Sequence, residues 1–247
     1  MQRLNYGFAL FYNEIKPRDP IQIKYGFDML ALHIHEGKFL IQLAKMLMFC
    51  EQFASLNYKD KYKLLKNSWR LIYQLERYYS SIEYFGCDIN DGRLMLDDTT
   101  AVDLNKINCD KEIDQEKFNK FHGLWVPFLN KQLNLLINPM KSLKLTEYEL
   151  VYLIAQILWT LQDDEDYSEQ TRLVAEEVSE QIASELHNYY LYQIGLTNYA
   201  HRLVNLTKLI ESSKVVNNAK KDVFILAKIF LSCKFDIKKS ELFDWKE

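Results

Sequence analysis

Two segments of the chain carry apolar or aromatic residues on nearly every side of a helix: WRLIYQLERYYSSI, residues 69–82, and LVYLIAQILWTL, residues 150–161. A helix at the surface of a globule keeps one wet face, so a helix without one has to be covered on both sides. Two such helices require a middle layer with other helices above and below it. Elsewhere apolar residues recur every three or four positions, and Gly 7 and Pro 4 are few in 247 residues. The expected fold is all-α, a three-layer antiparallel helical sandwich. No composition shift, repeat or low-complexity tract divides the chain, so residues 1–247 are expected to form a single domain.

Leu4, Phe8 and Phe11 predict a short first helix that Pro17 and Pro20 end. A long helix is expected from about 27 to 53, followed by the segment that becomes the first buried helix. In EYFGCDINDGRLML, Asn90-Asp91-Gly92 stands between two apolar runs, which predicts a small two-stranded β-hairpin turning there. The following LDDTTAVDLNKINCD reads as an irregular connection, and a helical stretch from about 113 to 137 is expected to stop at Pro139. Thr146 with Glu149 forms a capping box before the second buried helix, Gly195 supplies a helix stop, and a last helical region runs from about 197 to 232 with a bend expected at SSKVVNN.

Composition and spacing exclude several classes of function. Lys+Arg 31 against Asp+Glu 34 gives a formal charge of -3, with no basic face for direct nucleic-acid contact. Cys50, Cys87, Cys109 and Cys233 are too scattered for a zinc module, and a reduced intracellular compartment suits them. No stretch reaches the ~20 apolar residues of a membrane span. His33 and His35 point to different faces of a helix and cannot share a metal, CDINDG lacks calcium-loop spacing, and the acidic run 163–166 reads as a solvated turn. With no GxSxG, HExxH, GxxxxGK or GxGxxG motif, nothing points to an enzyme, a metal or a cofactor.

The stretch FASLNYKDKYKLLKNSW, residues 53–69, carries the pattern F-x-x-L-x-x-x-D-K-x-x-L-L-K-x-x-W on Phe53, Leu56, Asp60, Lys61, Leu64, Leu65, Lys66 and Trp69. It resembles the signature of nuclear hormone receptor ligand-binding domains. The pattern also makes physical sense: Phe53 and Leu56 pin a turn to the core, Asp60 sits at the positive start of a helix, and Trp69 enters the buried layer. Glu149 with Leu150, Leu153 and Ile157 resembles the family's eighth helix, and NYAHRLVNLTKLI with Arg202 resembles the start of its tenth. The DK form of the signature and the many tyrosines and lysines look most like the divergent nematode members, without the zinc DNA-binding module of eight cysteines.

The resemblance implies a nuclear, transcription-regulating module; without it the chain would be placed in the cytoplasm. It implies a small lipophilic ligand, an amphipathic coregulator helix as partner, and a homo- or heterodimer through the last long helix. The implied groove uses Met48, Gln52, Lys61, Tyr62 and Leu65, completed by Leu242, Phe243 and Trp245 near the end of the chain. Phe39, Leu43, Met46, Ile72, Leu75, Tyr79 and Phe230 line a ligand cavity in this reading, and are close-packed core otherwise. Glu149 and Arg202 are expected to form a structural ion pair. Three positions depart from the family pattern. Met48 stands where a clamp lysine is usual, Ser80 where a ligand-anchoring arginine is usual, and Asp244 is out of register for the terminal activation helix. The other reading of the same residues is a helical scaffold that acts by dimerisation without ligand.

Overall fold

The computed structural model describes residues 2–24, 29–106, 115–162 and 165–231. Helix α1 (Gln2–Ile15) buries Leu4, Phe8, Phe11 and Ile15, one face of a 3.6-residue period, and stops before Pro17. Helix α2 (Met29–Leu47) is shorter than the sequence pattern suggests, because the chain turns at its end: the Phe49 and Cys50 amides donate to the Met46 and Leu47 carbonyls at 3.0 Å each. Short helix α3 (Glu51–Ser55) then takes a new direction that lets Phe53 and Leu56 enter the core. This break allows both apolar signature residues to be buried.

Helix α4 (Tyr58–Phe85) is capped by Asn57, whose side chain accepts from the Asp60 amide, and ends at Gly86 with φ 91. Nearly all its residues from Ser68 to Ile82 are buried. The sheet that follows has three strands, β1 (Gln22–Lys24), β2 (Arg93–Met95) and β3 (Thr100–Asp103), in the order β1-β3-β2. β2 and β3 are antiparallel with Leu94 opposite Val102, and β1 lies parallel to β3. The β-hairpin therefore turns at residues 96–99 rather than at Asn90-Asp91-Gly92, and part of the expected irregular connection is strand. The cause is the Asp97 carboxylate, whose Oδ1 accepts from the Thr99 and Thr100 amides at 2.7 Å each and fixes the reversal. The Asn90-Asp91-Gly92 stretch instead forms a loop pinned by Lys141, whose ammonium donates to the carbonyls of Asp88 and Asp91 at 2.7 and 2.6 Å.

Helix α5 (Gln115–Gln132) leads through a π turn, Leu133–Ile137, into α6 (Asn138–Leu143). Pro139 occupies the first turn of α6 and so does not end the helical stretch: at that position its missing N–H costs little. Helix α7 (Glu147–Trp159) begins with the Thr146–Glu149 capping box and is buried on almost every side. Helix α8 (Glu169–Asn188) passes through a second π turn to Gly195, at φ 72, and α9 (Ala200–Leu231) runs unbroken through SSKVVNN. Helices α1 and α2 pack together on one side, α5 and α9 on the other, and α4 and α7 lie between them with α8 beside α7. The two helices lacking a wet face form the middle layer.

Candidate functional site

The start of α4 is held by its signature acid. Asp60 is buried and accepts from the Ser168 hydroxyl at 2.6 Å, the Thr171 hydroxyl at 2.7 Å, the Asn57 amide group at 2.8 Å and the Ser168 backbone N–H at 3.2 Å. Burial alone would raise its pKa, but these donors outweigh it and hold the carboxyl down, at about 2. One carboxylate thus joins the amino-terminal ends of α4 and α8, where the helix dipoles also favour a negative charge.

The groove residues of the sequence reading surround this point. Met48, just past α2, is exposed, and Gln52, Lys61, Tyr62 and Leu65 are half-buried, with Leu65 packed against the core. Ile41 is also exposed and lies seven residues before Met48, on the same side of the helical repeat; the sequence reading did not include it. The Lys61 ammonium donates to the Ala54 carbonyl at 2.5 Å, which places it over the carboxyl-terminal end of α3. Lys66 lies over the Tyr62 ring at 5.8 Å, and Tyr62 stacks at 6.5 Å on Tyr58. Lys63 faces away, donating to the Asp166 carbonyl. Leu242, Phe243 and Trp245 lie outside the described residues.

Among the residues expected to line a ligand cavity, Phe39, Leu43, Met46, Ile72, Leu75 and Tyr79 are all buried in the core. Phe39 meets Phe11 edge-on at 5.1 Å and Tyr79 meets Tyr12 at 6.2 Å, so these two face α1. The side chain of Phe230 lies outside the described residues. A polar network that the sequence reading missed crosses the same region. Arg77, 4% exposed, donates to both oxygens of fully buried Glu76, to the Asp97 carbonyl at 3.1 Å and to the Ile15 carbonyl at 3.0 Å. Ser80 donates to Glu76 at 2.6 Å and Tyr73 to the Leu96 carbonyl at 3.2 Å. Burial, helped by Arg77, pushes His35 down to about 4 and leaves it neutral, with Nε2 buried and lacking a partner.

Glu149 and Arg202 are brought together between α7 and α9. Arg202 Nη2 donates to Glu149 Oε2 at 2.7 Å, its Nε donates to the other oxygen, and Nη1 reaches the Leu143 carbonyl at 3.0 Å. Glu149 also accepts from the Tyr190 hydroxyl at 2.6 Å and from the Thr146 backbone N–H at 2.9 Å. Burial works against ionisation of Glu149, and Arg202, Thr146 and Tyr190 together overcome it, so the pKa lies below the ordinary range. A separate open cleft of about 620 Å³ beside the sheet is lined by Asp88, Asp91, Asp103, Arg93 and Lys106 among others. Among the described residues no cluster of three or more His, Cys, Asp or Glu could hold a metal, and no helix is long and apolar enough to cross a membrane.

A family model described as the ligand-binding domain of nuclear hormone receptor matches residues 36–230. Nuclear hormone receptor family member nhr-213 of Caenorhabditis elegans is 23% identical over 252 residues, which cover 99% of this chain and 59% of that protein. Members nhr-54 and nhr-127 of the same organism are each 26% identical, over 68% and 85% of this chain and 42% and 60% of their own lengths. The chain therefore spans only part of each of these relatives.

Proposed function

The chain belongs to the ligand-binding-domain family of nuclear hormone receptors, and from that premise we propose that it regulates transcription by taking up an amphipathic coregulator helix. The family consists of transcription factors. The helix would lie across the end of α2 and the start of α4. The observation that supports this reading is the exposed apolar pair Ile41 and Met48 together with half-buried Tyr62 and Leu65, next to lysine ammonium groups. Leucines of an incoming helix gain transfer energy on such a floor, and its last carbonyls gain a cation. Because Lys61 already serves α3, Lys66 is the cation better placed to serve the partner. Leu242, Phe243 and Trp245 would supply the remaining wall, and a small hydrophobic molecule within the helical layers would bias their docking as a population shift. Action in the nucleus, as one domain over residues 1–247 and as a dimer through α9, belongs to the same proposal.

Titration of a labelled LxxLL-type peptide and of a longer corepressor-type helix tests it. Leu65→Glu removes roughly 1.5 to 3 kcal/mol of apolar burial and should weaken binding at least about tenfold. Phe243→Ala should weaken it more than Glu247→Ala. Equal binding of both peptides to wild type and Leu65→Glu, or no binding to wild type at high micromolar concentration, would refute the groove and favour a scaffold that works by dimerisation alone.

A further inference from the structure

We propose that Ser168 is a phosphorylation site, and that a phosphate there parts α8 from the signature acid Asp60 and so loosens the start of α4. The effect on the groove rests on the receptor reading above; the effect on the junction does not.

Two hydroxyls reach the same carboxylate oxygen: Ser168 donates to Asp60 Oδ2 at 2.6 Å and Thr171 at 2.7 Å. They differ in access. Thr171 is fully buried, whereas Ser168 is exposed, as are Asp166, Glu169 and Gln170 around it. Asp166, Tyr167 and Ser168 belong to no helix or strand, and Ser168 has extended backbone, with φ -61 and ψ 151, just before α8. An exposed serine on extended chain is the form in which a protein kinase takes its substrate. Glu165 and Asp166 before it and Glu169 after it suit an enzyme whose substrate groove is basic.

In the transfer, a bond forms between Ser168 Oγ and the terminal phosphorus of ATP as the bond from that phosphorus to the departing ADP breaks, and the hydroxyl proton passes to the base of the kinase. The product serves Asp60 poorly. Its ester oxygen has no hydrogen to donate, and about -1.5 to -2 units of charge now face a carboxylate. The end of α8 is not itself lost, because phosphate oxygens can take over the Thr171 backbone N–H that Ser168 Oγ accepts at 3.3 Å, and the helix dipole favours an anion there. Lys63 and Arg172 flank the turn but already donate to the Asp166 and Glu165 carbonyls. The repulsion therefore falls on the contact with α4, whose first turns carry Lys61, Tyr62 and Leu65.

Phosphoserine placed at position 168 during translation tests the effect, read by urea unfolding in wild type and in Asp60→Asn. In wild type the phosphate should raise the unfolding equilibrium constant at least about tenfold, and in Asp60→Asn it should change it far less. An equal change in both backgrounds, or none in wild type, overturns the Asp60 mechanism. For access, the folded chain is incubated with casein kinase and ATP, and mass spectrometry should find phosphate at Ser168 that Ser168→Ala lacks. An unmodified Ser168 beside phosphorylated casein in the same tube overturns the site. The LxxLL-type peptide should bind the phosphoserine protein at least about threefold more weakly than wild type. Equal binding refutes control of the groove and leaves the receptor reading standing. If wild type binds neither that peptide nor the corepressor-type helix, the receptor reading fails, while the urea comparison still decides the junction.

Discussion

Glu149 and Arg202 are 53 residues apart and join α7 to α9, whereas Glu76 and Arg77 are neighbours in α4 and join no elements through their own contact. In the first pair the attraction itself is the staple. In the second, Glu76 neutralises an arginine that then gives its other donors to carbonyls of α1 and of the β-hairpin. The two also differ in exposure: the Arg202 side chain is 26% accessible and that of Arg77 only 4%. Guanidinium groups thus serve this fold in two ways, the half-buried one as partner of a distant acid and the buried one as a hub for backbone oxygens.

Breaking the hub should have the larger effect. Arg77→Met leaves Glu76 charged and buried and strands two carbonyls, so a loss of about 4 to 5 kcal/mol is expected in urea unfolding. Arg202→Ala should cost about 3 kcal/mol, since water can reach the vacated site and Tyr190 and Thr146 still serve Glu149. Its deficit should depend on pH. In wild type the lowered pKa of Glu149 stabilises the fold above the unfolded carboxylate value, and that gain fades as pH falls through the folded value. Without Arg202 the buried carboxyl titrates higher, so the gap between variant and wild type should be widest at neutral pH and narrow in acid. A deficit independent of pH would show that Glu149 does not depend on Arg202 for its charge.

Asp60 sharpens the comparison as a buried charge held without a cation. Asp60→Asn should cost about 1 to 2 kcal/mol at pH 7. Asp60 stabilises the fold above an unfolded pKa of about 3.9, and the gain is lost as pH falls toward about 2. The variant should therefore lose the slope of stability against pH between those values, read by chemical denaturation in acid; an unchanged slope would mean that these neutral donors do not hold this charge.

The layer architecture was legible because it depends on periodicity, and α4 and α7 reveal their burial by lacking a polar stripe. Residues 149 and 202 were legible only through their places in a family pattern, since nothing in local spacing pairs positions so far apart. Arg77 was not legible as a hub: its acceptors are backbone carbonyls, which every residue has. The β-hairpin turn was misplaced because Asp-Gly is a strong local signal, whereas the side-chain bonds of Asp97 become visible only once the strands are paired. For the groove, Ile41 could have been found from its seven-residue spacing to Met48; the engagement of Lys61 by Ala54 could not.

The contact of Arg77 with the Ile15 carbonyl also bears on where this folding unit can be cut. The family match begins at residue 36, but one acceptor of the buried guanidinium and two core rings, Phe8 and Phe11, lie before it. A chain trimmed to the matched residues would expose the faces of α2 and α7 that α1 covers and leave an unsatisfied donor in its interior, inviting aggregation rather than a smaller stable domain. The boundary suitable for expression is thus set by a backbone oxygen that a comparison of side chains does not reveal.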